Sequence, residues 1–249
     1  MANWSDPRTD GVGFAPRGAA DARAADYDAG LRSYMLSVYN YMASGVLLTG
    51  IVALAFAWGG ANSPAAAVFL SGGILKYVII FAPLAFILAL NFGIQKMSTG
   101  TLQMLFWAFA GVMGLSMSTI FLVYTGPSIA ITFFATAAAF LSLSLYGYTT
   151  KRDLSGFGTF LIMGVVGLLV ASLLNLWFQS PMMTLVISAV GVLVFAGLTA
   201  YDTQRIKSMY SYVAGTDMMG KAVIMGALSL YLDFVNMFNF LLSFLGSRD

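Results

Sequence analysis

Seven stretches of the chain, at about 35–58, 77–95, 101–124, 127–148, 155–178, 181–203 and 222–245, are almost unbroken apolar runs. Each is close to the roughly 20 residues that a helix needs to cross the hydrocarbon of a bilayer. In that solvent every backbone N–H and C=O must find its partner within the protein, so runs of this length fold as helices. Charged residues make up only 9% of the sequence, against about 25% in a water-soluble domain. The expected fold class is therefore all-α: a polytopic membrane protein whose seven transmembrane helices form one bundle over residues 34–249.

Residues 1–33 are rich in Gly, Ala, Asp and Arg, lack apolar periodicity and are expected to form a disordered polar tail. No apolar segment precedes Tyr34, so the tail does not read as a signal peptide. Helix edges carry their own marks. Pro127 and Pro181 suit first-turn positions, Ser180 can cap the sixth span, Asp153 or Ser155 can cap the fifth, and Pro83 falls inside the second. The apolar stretch from Pro64 to Leu70 is too short to cross and reads as interfacial or re-entrant.

Orientation follows from the cations. Arg8, Arg17, Arg23, Arg32, Lys96, Lys151, Arg152, Arg205, Lys207 and Lys221 fall on the amino-terminal side of the bundle, and only Lys76 and Arg248 on the other. The positive-inside rule then puts the amino terminus in the cytoplasm and the carboxyl terminus outside. With a formal charge of +2 and its cations spread beside the spans, the chain shows no nucleic-acid surface.

The chain has no Cys and no His, which excludes disulfides, thiolate or imidazole metal sites and a Ser-His-Asp triad. All ten acidic residues are Asp. Two of them stand in apolar runs: Asp202, at the end of the sixth, and Asp233, inside the seventh. A carboxylate in hydrocarbon costs at least a few kcal/mol, so such residues face a bundle interior or a wet path and mark function. Because the sixth and seventh spans run in opposite directions, both carboxylates are expected in the cytoplasmic half. Ser229, Asp233, Asn236 and Phe240 share one helical face, with Asn239 and Ser243 on an adjoining strip. Asn236 and Ser229 are the candidate supporting groups of this seam, although hydrogen bonding between helices is the better account of Ser229, Asn239 and Ser243. Lys96, at the end of the second span, is either a snorkelling topology residue or a counter-ion for Asp202. Gly111, Gly114, Ser118, Gly164, Gly167, Ala171, Gly191 and Gly197 read as points of close helix approach.

The segments GLTAYDTQRIK (Gly197–Lys207) and ALSLYLDFVNMFNFLLSFLG (Ala227–Gly246) closely resemble the signature of the Bax inhibitor family, as do MGLSMSTIFLVYT (Met113–Thr125) and YGYTTKRDLSGFG (Tyr146–Gly158). The resemblance implies a seven-helix fold with the seventh helix largely enclosed, and a pH-sensitive calcium leak. It places the family's paired aspartates on Asp202 and Asp233 and its basic latch on Lys96, where bacterial members commonly carry Arg. With no internal organelle indicated, the expected location is a bacterial plasma membrane.

Two close carboxylates in a poorly hydrated site cannot cheaply both ionise, so they are expected to share a proton and to titrate as one pair. Protonation then gates the path: ionised Asp202 holds Lys96 and ties the second and sixth helices together, and protonation releases them. Calcium is a candidate ligand of Asp202 and Asp233, but it takes six to eight oxygens, so Asn236, backbone carbonyls or waters would have to complete the shell. No cofactor is required. The expected partners are the lipid bilayer, calcium and protons, with other membrane proteins as partners in a rival reading, that of a non-transporting regulator. An intramembrane aspartyl protease is the third reading. Tyr201-Asp202 fits its first motif, but Leu230-Tyr231-Leu232-Asp233 stands where Gly-x-Gly-Asp should, and its Pro-Ala-Leu motif is absent.

Overall fold

The computed structural model describes residues 17–248, with side chains from Ala25 onward. The elements in order are α1 (Arg17–Phe56), a 3-10 turn (Gly60–Asn62), α2 (Pro64–Leu70), α3 (Leu75–Gly93), α4 (Thr99–Met117), α5 (Ile120–Val123), α6 (Gly126–Thr149), α7 (Ser155–Phe178), α8 (Pro181–Val213) and α9 (Met219–Leu245). Among the described residues there is no strand beyond one isolated bridge between Tyr124 and Arg248. Seven segments of the described residues are long and apolar enough to cross a membrane, and they coincide with the seven apolar runs: α1 from Ala25, α3, α4 with α5, α6, α7, α8 and α9. Their outer faces carry Phe92, Phe134, Trp177 and Leu193, all more than two-thirds exposed, which suits contact with lipid.

Helix starts follow the sequence marks with one exception. Ser180 Oγ accepts the Met183 amide at 3.3 Å with Pro181 opening α8, and Thr125 Oγ1 accepts the Ser128 amide at 3.4 Å. At α7 the cap position is Leu154, not Asp153 or Ser155. Asp153 sits one residue earlier and accepts both the Ser155 amide at 2.9 Å and its hydroxyl at 2.6 Å. Those two bonds hold its exposed carboxyl below the usual range. Pro83 lies within α3, which continues through it.

Two helix limits differ from the apolar runs, and both matter for the site. Helix α1 begins at Arg17, so residues 17–33, assigned by composition to the polar tail, are helical; residues 1–16 lie outside the described residues. The Ala and Arg content of that segment, both strong helix formers, accounts for the extension. Helix α8 continues past the end of its apolar run to Val213, because Thr203, Ile206 and Tyr210 keep one buried face at helical spacing. Asp202 is therefore eleven residues from the end of its helix instead of at it.

Helix α9 packs against α1, α4, α6 and α8. Half of its apolar window is buried, 50% against 11% to 33% in the other spans. Polar side chains join the helices inside the bundle. Thr49 on α1 donates to the Ala110 carbonyl of α4 at 2.8 Å and shares a 2.6 Å bond with the Tyr231 hydroxyl of α9. Ser116 of α4 bonds the Ile79 carbonyl of α3 at 2.6 Å, and Ser144 of α6 meets Thr203 of α8 at 3.2 Å.

Candidate functional site

Helices α8 and α9 are consecutive, pack on each other and are joined by the short turn 214–218. Counting from that turn, Asp202 lies eleven residues into α8 and Asp233 fourteen residues into α9. At about 1.5 Å per residue these depths are roughly 16 and 21 Å, so the two aspartates stand within about one turn of the same level.

Their surroundings differ. Asp202 is half-buried and lines a cavity of about 330 Å³. The cavity runs from the α8–α9 turn, at Val213 and Met218, inward between α3, α8 and α9 to Asp202 and Ser229. Asp233 is absent from its walls. It lies one turn beyond Ser229 on the same face of α9, only 4% exposed, and its Oδ2 is buried with no hydrogen-bond partner. Buried polar atoms are almost always paired, so an orphaned carboxyl oxygen in the best-buried helix calls for an explanation other than stability.

The remaining seam residues divide. Ser229 joins the site by lining the cavity. Asn236 turns its amide to the Leu232 carbonyl of its own helix at 2.8 Å. Ser243 meets Ser188 of α8 at 3.0 Å, which is a hydrogen bond between helices. Phe240 stacks on Phe195 with ring centroids 5.8 Å apart, over Gly191. Among the described residues no group of three or more Asp or Glu side chains stands ready to hold a metal ion.

The family model described as "Inhibitor of apoptosis-promoting Bax1" matches residues 31–249. The chain belongs to the Bax inhibitor family. It is 47% identical to the inner membrane protein YbhL of Escherichia coli K12 over 223 residues, 88% of this chain and 94% of that protein. Its identity to an uncharacterized protein of Rickettsia prowazekii is 48% over 223 residues, 89% of this chain and 92% of the relative. An uncharacterized protein of Caulobacter vibrioides is 45% identical over 245 residues, covering 95% of this chain and 97% of the other. The protein is thus an integral membrane member of the Bax inhibitor family.

Within this family member Lys96 stands apart from the aspartates. Lys96 is exposed in the turn after α3 and does not line the aspartate cavity. The cation beside Asp202 is Arg205, one turn further along α8, which does line it. The tie to the end of α3 comes from α9: Lys221 Nζ donates to the Ile94 carbonyl at 2.9 Å. Sequence reasoning counted Arg205 and Lys221 only as topology signals. The spacing of Asp202 and Arg205, three residues apart on a helix, is the one signal that could have paired them.

Proposed function

We propose that the protein is a pH-sensitive calcium leak in which Asp202 and Asp233 form the proton-responsive gate. The observation that carries this reading is the buried, unpartnered Oδ2 of Asp233 just beyond a cavity that ends on Asp202. A carboxyl kept there against its desolvation cost is of use where its charge can change. The pair shares one proton, and a second proton discharges the site. With Asp202 ionised, its attraction draws in Lys96 from the end of α3 and ties α3 to α8, a link that Arg205, on α8 itself, cannot make; protonation weakens that tie and favours opening. Calcium, the transported ion, meets Asp202 and Ser229 from the cavity and Asp233 beyond it, with waters supplying the oxygens that two carboxylates lack. The reading is non-enzymatic and needs no resident cofactor.

The membrane is a bacterial inner membrane, a reading supported by the relative YbhL, an inner membrane protein, and the bias of Lys and Arg supports a cytoplasmic cavity end. Calcium flux through the purified protein in liposomes separates this reading from that of a non-transporting regulator. A leak passes calcium with no second protein present and passes more in acid. A regulator leaves the liposomes tight at every pH.

Lys96 enters this reading as a second cation, brought to Asp202 by movement of the α3 end when the path closes. Lys96→Ala is then expected to lengthen, at neutral pH, the distance between spin labels at Gln95 and Ser208. An unchanged distance would return Lys96 to a snorkelling role and leave Arg205 as the counter-charge of Asp202.

A further inference from the structure

The bundle has a second recess at the same end, away from the aspartates. A groove of about 810 Å³ lies between α1 and the ends of α6 and α8, with Asp28, Arg32, Tyr148, Gln204 and Lys207 among its walls. A cavity of about 410 Å³ adjoins it, sharing Arg32 and Tyr148, and continues between α1 and α6 past Leu36, Tyr39, Leu145 and Leu141. Helices α1 and α6 both pack on α8 and α9 without packing extensively on each other, which leaves this cleft. Its rims face the bilayer: Leu36, Leu141 and Leu145 are 52%, 65% and 63% exposed. From Arg32 to Tyr39, and from Tyr148 back to Leu141, is seven residues, or about 10 Å of helix. The apolar part thus descends from the charged end of the bundle into the hydrocarbon.

The charges sit where the two recesses meet. Lys207 Nζ donates to the Tyr148 carbonyl at 2.7 Å and stands 4.7 Å over the Tyr148 ring, so it is fixed at the junction with two ammonium protons left to donate. Arg32 is exposed on the shared rim. Asp28, one turn before Arg32, is the opposing carboxylate in the groove, leaving two cations against one anion. A polar, net-positive recess continuous with a lipid-facing apolar cleft matches a molecule with an anionic head and a hydrocarbon tail, as basic pockets between transmembrane helices do.

We propose that this paired recess binds an anionic glycerophospholipid. Its phosphate lies between Arg32 and Lys207, its polar head reaches towards Gln204, and one acyl chain fills the α1–α6 cleft. A soluble phosphate would leave the cleft empty, and a choline head would bring a third cation to Arg32 and Lys207.

The test is native mass spectrometry of the full-length protein in detergent, titrated with phosphatidylglycerol and with phosphatidylcholine of identical chains. Phosphatidylglycerol is expected to bind more tightly. Arg32→Gln should lower that preference about five-fold, as should Lys207→Gln, the gain of roughly one basic side chain at an anionic headgroup. Because Lys207 also ties α8 to α6, Arg32→Gln is the deciding headgroup variant if Lys207→Gln does not fold. Asp28→Asn should strengthen binding, and Leu145→Trp, which fills the cleft from its lipid side, should weaken it with the cations intact. Equal binding of the two lipids, or an unchanged preference in Arg32→Gln, would overturn the headgroup assignment. Displacement of phosphatidylglycerol by glycerol 3-phosphate alone, or unweakened binding to Leu145→Trp, would show a soluble-anion site and overturn the lipid.

Discussion

Replacing Asp233 by valine is expected to stabilise the protein and to move its pH response to more acid pH. The carboxyl is buried, and one of its oxygens has no partner. An unsatisfied buried polar group costs about 1–3 kcal/mol, and replacing buried charge by an apolar side chain of similar size is often neutral or stabilising. Valine exceeds aspartate in volume by only about one methylene, so the overpacking it brings is small. A gain of this size raises the midpoint of thermal unfolding by several degrees for a chain of this length. Flux in the same variant should still respond to pH through Asp202, but only at more acid pH than in the wild type, since the like charge that opposed its ionisation is gone. Thermal unfolding in detergent reads the first effect and liposome flux the second. A clear loss of stability in Asp233→Val would mean that the carboxylate serves packing or an interior hydrogen bond, and the case for its function would fail.

Gly147→Ala is expected to do the opposite and destabilise the bundle. A methyl group there would stand 2.2 Å from the Ala200 carbonyl oxygen of α8 and 3.0 Å from its carbonyl carbon and Cα. These are backbone atoms that cannot rotate away, so α6 and α8 must separate. The joint lies one turn from the Ser144–Thr203 bond, two residues before Asp202. Overpacking typically costs about 1–3 kcal/mol, and a backbone clash belongs at the upper end or beyond. Gly167→Ala is the comparison: nothing lies within 4 Å of its added Cβ, and alanine favours the helix by up to about 1 kcal/mol. Thermal midpoints of the two variants should therefore diverge in opposite directions. Equal midpoints would show that α6 and α8 do not meet at Gly147.

The same glycines show where sequence reasoning ends. Small residues in apolar runs mark close helix approach in general, and Gly114, Gly164, Gly191 and Gly197 do face neighbouring helices, whereas Gly111 and Gly167 face open space. Gly147, the site of the closest backbone approach, carries no distinguishing neighbour in the sequence. Which glycine touches depends on helix rotation, and a run that is apolar on every side does not encode rotation. The spans themselves were legible because bilayer thickness fixes their length. The ends of α1 and α8 were not, because a helix leaving the hydrocarbon continues on polar residues that hydropathy counts as loop. Asp202 and Asp233 stood out through the cost of their charge alone. The ties of Lys221 to the Ile94 carbonyl and Lys207 to the Tyr148 carbonyl could not be foreseen, since any backbone carbonyl is an equivalent acceptor until the fold selects one.

The central claim is that the ionisation of the Asp202–Asp233 pair sets how freely cations pass. The most direct test is calcium flux into liposomes containing wild type or Asp202→Asn, followed from neutral to acid pH. Asparagine is nearly isosteric with the protonated acid. The variant is predicted to leak at neutral pH as the wild type does in acid, and to change little as the pH is lowered. A pH profile identical to that of the wild type would contradict the account, because Asp202 would then be only a solvated side chain at the edge of its cavity.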